Sequence, residues 1–165
     1  MIFAKFFGRR SNPAQPLYEA IVAAARQPHF YQDDAVPDTV DGRFDVLLLH
    51  LSLVIEKLRP ALPEFSQRLV DYFCMDMDDN LRELGAGDLS VGKKVRRMAE
   101  AFQGRYQVYG AARDMPAMAA AVERNVFAGA PAAGAQAIAR FALAARQALA
   151  KQDANKIAAG TVVFS

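Results

Sequence analysis

Apolar residues recur along most of this chain at intervals of three and four, the period of a helix. Phe44, Leu47, Leu48, Leu51, Ile55 and Leu58 fall at that spacing. Val46, Leu49, Leu53 and Val54 widen the stripe nearly all the way round, which predicts a central helix buried on every side. "RPALP" ends it, and a second long helix is expected from about Pro63 to Leu84. There Leu62, Phe65, Leu69, Phe73, Met77 and Leu84 lie near one face, while Glu64, Arg68, Asp71, Asp78 and Arg82 lie on another. Gly85 and Gly87 then stop it, as glycines do after helix C-termini.

Punctuation predicts the rest. "SNPAQP" supplies a cap and two prolines before a helix over Leu17–Gln27. "PHFYQDDAVPDTVDGR" reads as a longer connection with one helical turn in it. A helix from about Ser90 to Tyr109 follows the glycines, with Val95, Met98, Ala99, Phe102, Tyr106 and Tyr109 as its inner stripe. Pro116 opens a further helix that ends near Gly129. Pro131 opens an alanine-rich one with Ile138, Phe141, Ala145 and Leu149 on one side. "TVVFS" is too short to build a sheet. The expected fold is all-α: a single-domain bundle of about six helices over residues 13–165, preceded by an aromatic and basic arm over residues 1–12.

Composition narrows the class. The chain has 165 residues, 53% hydrophobic and 23% charged, which is enough for a real core and too apolar for disorder. A net charge of only +2 argues against a strong whole-molecule attraction to nucleic acid. The single cysteine, Cys74, excludes an internal disulfide. No stretch approaches the roughly 18 apolar residues of a spanning helix. The start, "MIFAKFFGRR", puts apolar residues before charges, the reverse of an export signal. A cytoplasmic protein is expected. Phe3, Lys5, Phe6, Phe7, Arg9 and Arg10 are candidates for peripheral contact with the inner face of the membrane, because bilayer contact needs apolar insertion together with positive charge.

Chemistry is sparse. Gly87-x-x-x-x-Gly92-Lys93-Lys94 nearly spells a phosphate-binding loop, but Lys94 replaces the hydroxyl that would bind Mg²⁺. A helix also precedes the glycines where a strand is needed. Asp76-x-Asp78-x-Asn80 begins like a calcium loop, yet Leu81 stands at the turn glycine and Gly87 at the closing glutamate. His50 lies in the greasiest helix and reads as a hydrogen-bonded core histidine. Cys74, beside Phe73, reads as a small buried hydrophobe. No nucleophile–base pair or metal set can be assembled, so no enzyme, cofactor or metal is expected.

What remains is a helix–turn–helix corner with a charge reversal across it. Asp76, Asp78, Asp79 and Glu83 precede the turn, relieved by Arg82; Lys93, Lys94, Arg96 and Arg97 follow it. Lys94, Arg97 and Arg105 fall on one outer flank of the second helix, with Lys93 beyond them. One reading is a pair of solvated faces whose charges satisfy each other. The other is a surface for a partner, with Asp78, Asp79, Asn80, Arg82, Glu83, Asp88, Lys93, Lys94 and Arg97 as candidate contacts. A helix-turn-helix DNA-binding protein is the alternative, and the acidic first helix speaks against it.

Two blocks carry a family likeness. "VPDTVDGRFDVLLLHLSLVIEKL" and "MDDNLRELGAGDLSVGKKVRRMAEAFQGR" resemble the ubiquinol–cytochrome c chaperones, assembly factors of the cytochrome bc1 complex. The likeness covers Val36–Leu58 and roughly Phe65–Arg105, about half of the chain. It implies an all-helical, non-enzymatic protein that binds newly made cytochrome b. The mitochondrial relatives work with a small partner protein and hold the client until later subunits and haem arrive. This chain is similar to the short bacterial relatives.

Overall fold

The computed structural model describes residues 11–130 and 132–165. Six helices of eleven residues or more run through them: α1 (Gln15–Ala25), α3 (Val40–Leu58), α4 (Pro63–Glu83), α5 (Asp88–Ala111), α6 (Met115–Val126) and α7 (Ala133–Ala150). Two short helices complete the set, α2 (His29–Gln32) and α8 (Ala154–Ala158). No strand occurs among the described residues. The six long helices are those the periodicity predicts, and α2 is the single turn expected in the first connection. The short α8 carries too few residues to show a period and was not anticipated.

The helix ends explain themselves. Thr39 caps α3 by accepting from the backbone N–H of Gly42, and Asp114 caps α6 by accepting from that of Ala117. Pro63 starts α4 where an N–H would have no partner. Gly85 closes α4 in the left-handed region at φ 85°. Its N–H donates to the carbonyl of Arg82 while that of Ala86 reaches back to Leu81, each at 3.0 Å. These paired bonds satisfy carbonyls the helix leaves over.

Every residue of α3 from Val46 to Ile55 is buried. It packs against α1, α4, α5, α6, α7 and α8, and so forms the axis of the molecule. Helices α1, α4 and α5 lie on one side of it, and α6 and α7 pair with each other on another. The start of α7 presses on the connection after α2. A Cβ built on Gly134 would lie 1.7 Å from the carbonyl oxygen of Asp34 and 3.1 Å from the Phe127 ring.

Two ionic knots fasten the helices. Arg105 of α5 donates to Asp45 of α3 at 2.6 Å, with both side chains largely buried. Arg146 of α7 reaches Glu56 of α3 at 3.1 Å and also donates to the carbonyls of Tyr109 and Ala112, at 2.7 and 2.9 Å. Arg113 takes the other oxygen of Glu56 at 2.7 Å. One guanidinium thus binds α7 to α3 and finishes the C-terminus of α5. The inward place of Arg105 corrects the expectation that it shares an outer flank with Lys94 and Arg97. Its angle on the helix is the same, but α3 and α6 cover that end of α5.

His50 is fully buried, as expected of a core histidine. Its Nδ1–H donates to the Val46 carbonyl at 2.8 Å, and Nε2 has no partner among the described residues. The rings of Phe30, Phe141 and Phe164 surround it at 5.2, 5.1 and 4.9 Å between centroids. "TVVFS" therefore closes the core, with Phe164 as a plug. Burial pulls the pKa of His50 down to about 4. Between pH 6.5 and 4 the unfolded chain holds a proton that the folded one refuses, so this contribution to stability is complete above about pH 6.5 and lost as pH falls. Asp45 acts with the opposite sign: burial lifts it to about 6 against the pull of Arg105, so its contribution weakens as pH rises from about 4 to 6. Between pH 7 and 4.5, His50→Gln should lose about 2–3 kcal/mol less stability than the parent, because Asp45 cancels in the comparison. Urea unfolding at the two pH values measures the difference. Equal losses would show that His50 takes up its proton in the folded state as readily as in the unfolded one.

Candidate functional site

The stretch that resembles a phosphate loop is the corner between α4 and α5. Gly87 stands at the start of α5, and Gly92, Lys93 and Lys94 lie inside that helix. Each N–H from Val91 onward is thereby committed to a helical bond, and no cradle of free N–H groups forms around Gly92.

Arg82 organises the acids. Its Nε donates to Asp78 at 2.6 Å, one turn back, and its Nη1 reaches across the corner to Asp88. Asp88 sits in the first turn of α5 and Arg82 in the last turn of α4, so each charge also favours its own helix dipole. Asn80 donates to the backbone oxygen of Asp76 at 2.8 Å. The Asp76 carboxylate accepts from the Tyr18 hydroxyl of α1 at 2.8 Å, and burial raises its pKa. Asp79 is half-buried, and Glu83 points to solvent.

The bases behave differently. Lys93, Lys94 and Arg97 are exposed and make no ion pair among the described residues. Arg96 pairs weakly with Glu100, 3.5 Å away on its own helix. Arg82 thus pairs with Asp78 and Asp88, while Lys93, Lys94 and Arg97 have no ion pair among the described residues. Asp78 and Asp88 are satisfied by Arg82 and not by the bases of α5, so their ion pairs do not join the acidic cluster to the lysines.

Beside the corner opens a cleft of about 540 Å³. Its walls come from four helices: Tyr18, Val22 and Arg26 at α1, Phe44 and Leu47 of α3, Met77, Asn80 and Leu81 of α4, and Arg97, Met98 and Ala101 of α5. Val40 and Leu84 form part of its lip, and each is 81% exposed. Leu89, on the first turn of α5, is 100% exposed. Of the sequence candidates, Asn80 and Arg97 line this cleft, and Asp78, Asp79, Arg82, Glu83, Asp88, Lys93 and Lys94 surround the corner next to it. The candidates Phe3, Lys5, Phe6, Phe7, Arg9 and Arg10 lie outside the described residues. Sequence reasoning missed the cleft, Val40 and Leu89. Leu89 was readable in principle: it lies about 200° around the helix from Val91, which is buried.

The ubiquinol-cytochrome C chaperone family matches residues 32–164. The chain belongs to this family. The chaperone fold has a crystallographic counterpart in the Cbp3 homolog from Brucella abortus, with a TM-score of 0.82 and 38% identity over 93% of this chain and 88% of that one. No curated protein sequence matches. The corner and three walls of the cleft lie inside the matched residues of the chaperone, and the α1 wall precedes them. The protein is thus an all-helical assembly chaperone of the ubiquinol–cytochrome c reductase, or bc1, complex. No described helix is long and apolar enough to cross a membrane.

Proposed function

We infer that this chaperone binds newly made cytochrome b and keeps it competent for assembly into the bc1 complex, without catalysing a reaction. The observation that carries this reading is a set of cations without an ion pair among the described residues, Lys93, Lys94 and Arg97, beside an open apolar cleft. Charge complementarity of that kind sets register and on-rate for a polar loop, while the cleft offers apolar area. The client's loops at the cytoplasmic side of the membrane are the handles, and the chaperone works as a peripheral protein at that face.

The test is charge reversal. Lys93→Glu with Lys94→Glu should melt close to the parent, since exposed charges shift stability by no more than about 0.5 kcal/mol. Cytochrome b should cease to co-purify from membranes of the source cell, and bc1 levels should fall. Asp78→Lys with Asp79→Lys should weaken capture less. Undiminished capture by the lysine variant would move the client surface elsewhere.

A further inference from the structure

Beyond the charged corner, we propose that the cleft takes the apolar face of one helical segment of the client, a segment with acidic residues at its end. This deepens the chaperone reading above and rests on it. The floor is apolar, formed by Val22, Phe44, Leu47, Met77, Leu81 and Met98. A helix is about 10–12 Å across with its side chains, so about 540 Å³ admits one face of it and not the whole cylinder. That is the helix-in-groove mode, read by anchors three and four residues apart. Val40 begins α3 and Leu84 ends α4, so the two exposed lip residues come from different walls and an occupant between them covers both. Met77 and Met98 are unbranched and polarisable, and adapt to anchors of different shape.

The charges choose the polarity of the occupant. Arg26 and Arg97 line the cleft without an ion pair among the described residues. The carboxylate of Asp76 is already engaged by Tyr18. Asp41 and Asp76 are the acids of the lining and Asp76 feels the charge of Arg26, whereas the third arginine, Arg43, is paired with Asp38; Lys93 and Lys94 lie one turn before Arg97 on α5 and add to the positive side. The excess is positive, which favours an acidic flank and disfavours a basic one.

The probe is a fluorescein-labelled leucine–alanine helix peptide of about eighteen residues ending in two glutamates, with a lysine-ended counterpart, titrated with the full chain and read by anisotropy. The glutamate peptide should bind about tenfold tighter than the lysine peptide. Val40→Asn with Leu84→Asn, both at exposed positions, should weaken it by about tenfold without changing the melting temperature. Arg26→Glu with Arg97→Glu should reverse the preference between the peptides. Equal binding of both peptides, or no effect of the asparagine pair, overturns the proposal. So does binding that appears only once residues 1–10 are removed, which assigns the cleft to the chain's own first segment. A dimer in sedimentation that the asparagine pair dissolves assigns it to a second copy. Binding to anionic phosphatidylglycerol vesicles with none to peptide assigns it to lipid. If the asparagine pair still captures cytochrome b while Lys93→Glu with Lys94→Glu does not, the cleft proposal falls and the chaperone reading stands. If neither variant loses cytochrome b, the chaperone reading of this surface falls with it.

Discussion

Gly134→Ala should destabilise the chaperone by about 3 kcal/mol or more, although it adds a single methyl group in the second position of a helix where alanine is the better helix former. The propensity gain is about 1 kcal/mol in the other direction, so the sign of the result is diagnostic. The new Cβ would stand 1.7 Å from the carbonyl oxygen of Asp34, less than half an ordinary contact distance, with the Phe127 ring at 3.1 Å on another side. Neither neighbour retreats freely. The Asp34 carbonyl belongs to the backbone beside Ala35, which already holds the left-handed conformation at φ 57°. The fold can relieve the clash only by moving α7 off α3 or by breaking the connection from α2. For a chain of this size, 3 kcal/mol corresponds to a fall in melting temperature of about 6–12 °C. Thermal unfolding followed by circular dichroism measures it. Gly104→Ala is the control: it lies in α5 with open space around it and should be neutral or stabilising. A Gly134→Ala protein as stable as the parent would mean that the start of α7 is not fixed against the connection.

Arg146→Ala should cost about 3–5 kcal/mol, the range for removing one partner of a buried ion pair. The side chains of Arg146 and Glu56 are 16% and 22% exposed, so the pair is mostly sheltered from water. Its loss leaves one oxygen of Glu56 and the Ala112 carbonyl without this donor, while the Tyr109 carbonyl keeps the Ala112 N–H, and each group left bare carries its own desolvation penalty. Arg113, at 64% side-chain exposure, cannot replace it, because it reaches only the other oxygen of Glu56. The double change Glu56→Gln with Arg146→Met should recover a large part of the loss, since the buried charge is gone along with its partner. Urea unfolding of the two variants and of Glu56→Gln alone gives the coupling. If Arg146→Ala loses less than about 1 kcal/mol, the pair behaves as a surface salt bridge and α7 is held by its apolar stripe alone.

How far the sequence carried depended on whether a feature is local. The central helix was legible because nearly every position from Val46 to Ile55 is apolar, and nothing short of full burial accommodates that. The corner was legible because Gly85 is a local stop signal with a local hydrogen-bond pattern. His50 was legible because it stands inside that apolar run, where an i to i−4 bond within its own helix gives Nδ1 a partner. The misses share a different cause. Arg105 has an outward angle on α5, yet an angle does not reveal which neighbours lie over that part of the helix. The cleft joins Tyr18, Phe44, Met77 and Met98, residues dispersed through four helices, and no spacing rule links them. The charge pattern placed acids and bases on either side of the corner, but their pairing there is tertiary: Arg82 joins Asp78 and Asp88, and Lys93 and Lys94 make no ion pair among the described residues.

The Phe164 plug gives the chain a calendar. His50 lies in the third helix from the start, and the ring that closes over it is 114 residues further along the sequence. During synthesis α3 emerges early, with Phe30 available on one side of the histidine and nothing yet on the other two. Phe141 arrives with α7, and Phe164 follows only after α8. Until then the flank of α3 that Phe141 and Phe164 cover has no ring to close it. The axis of the chaperone is thus closed last, by one late aromatic side chain.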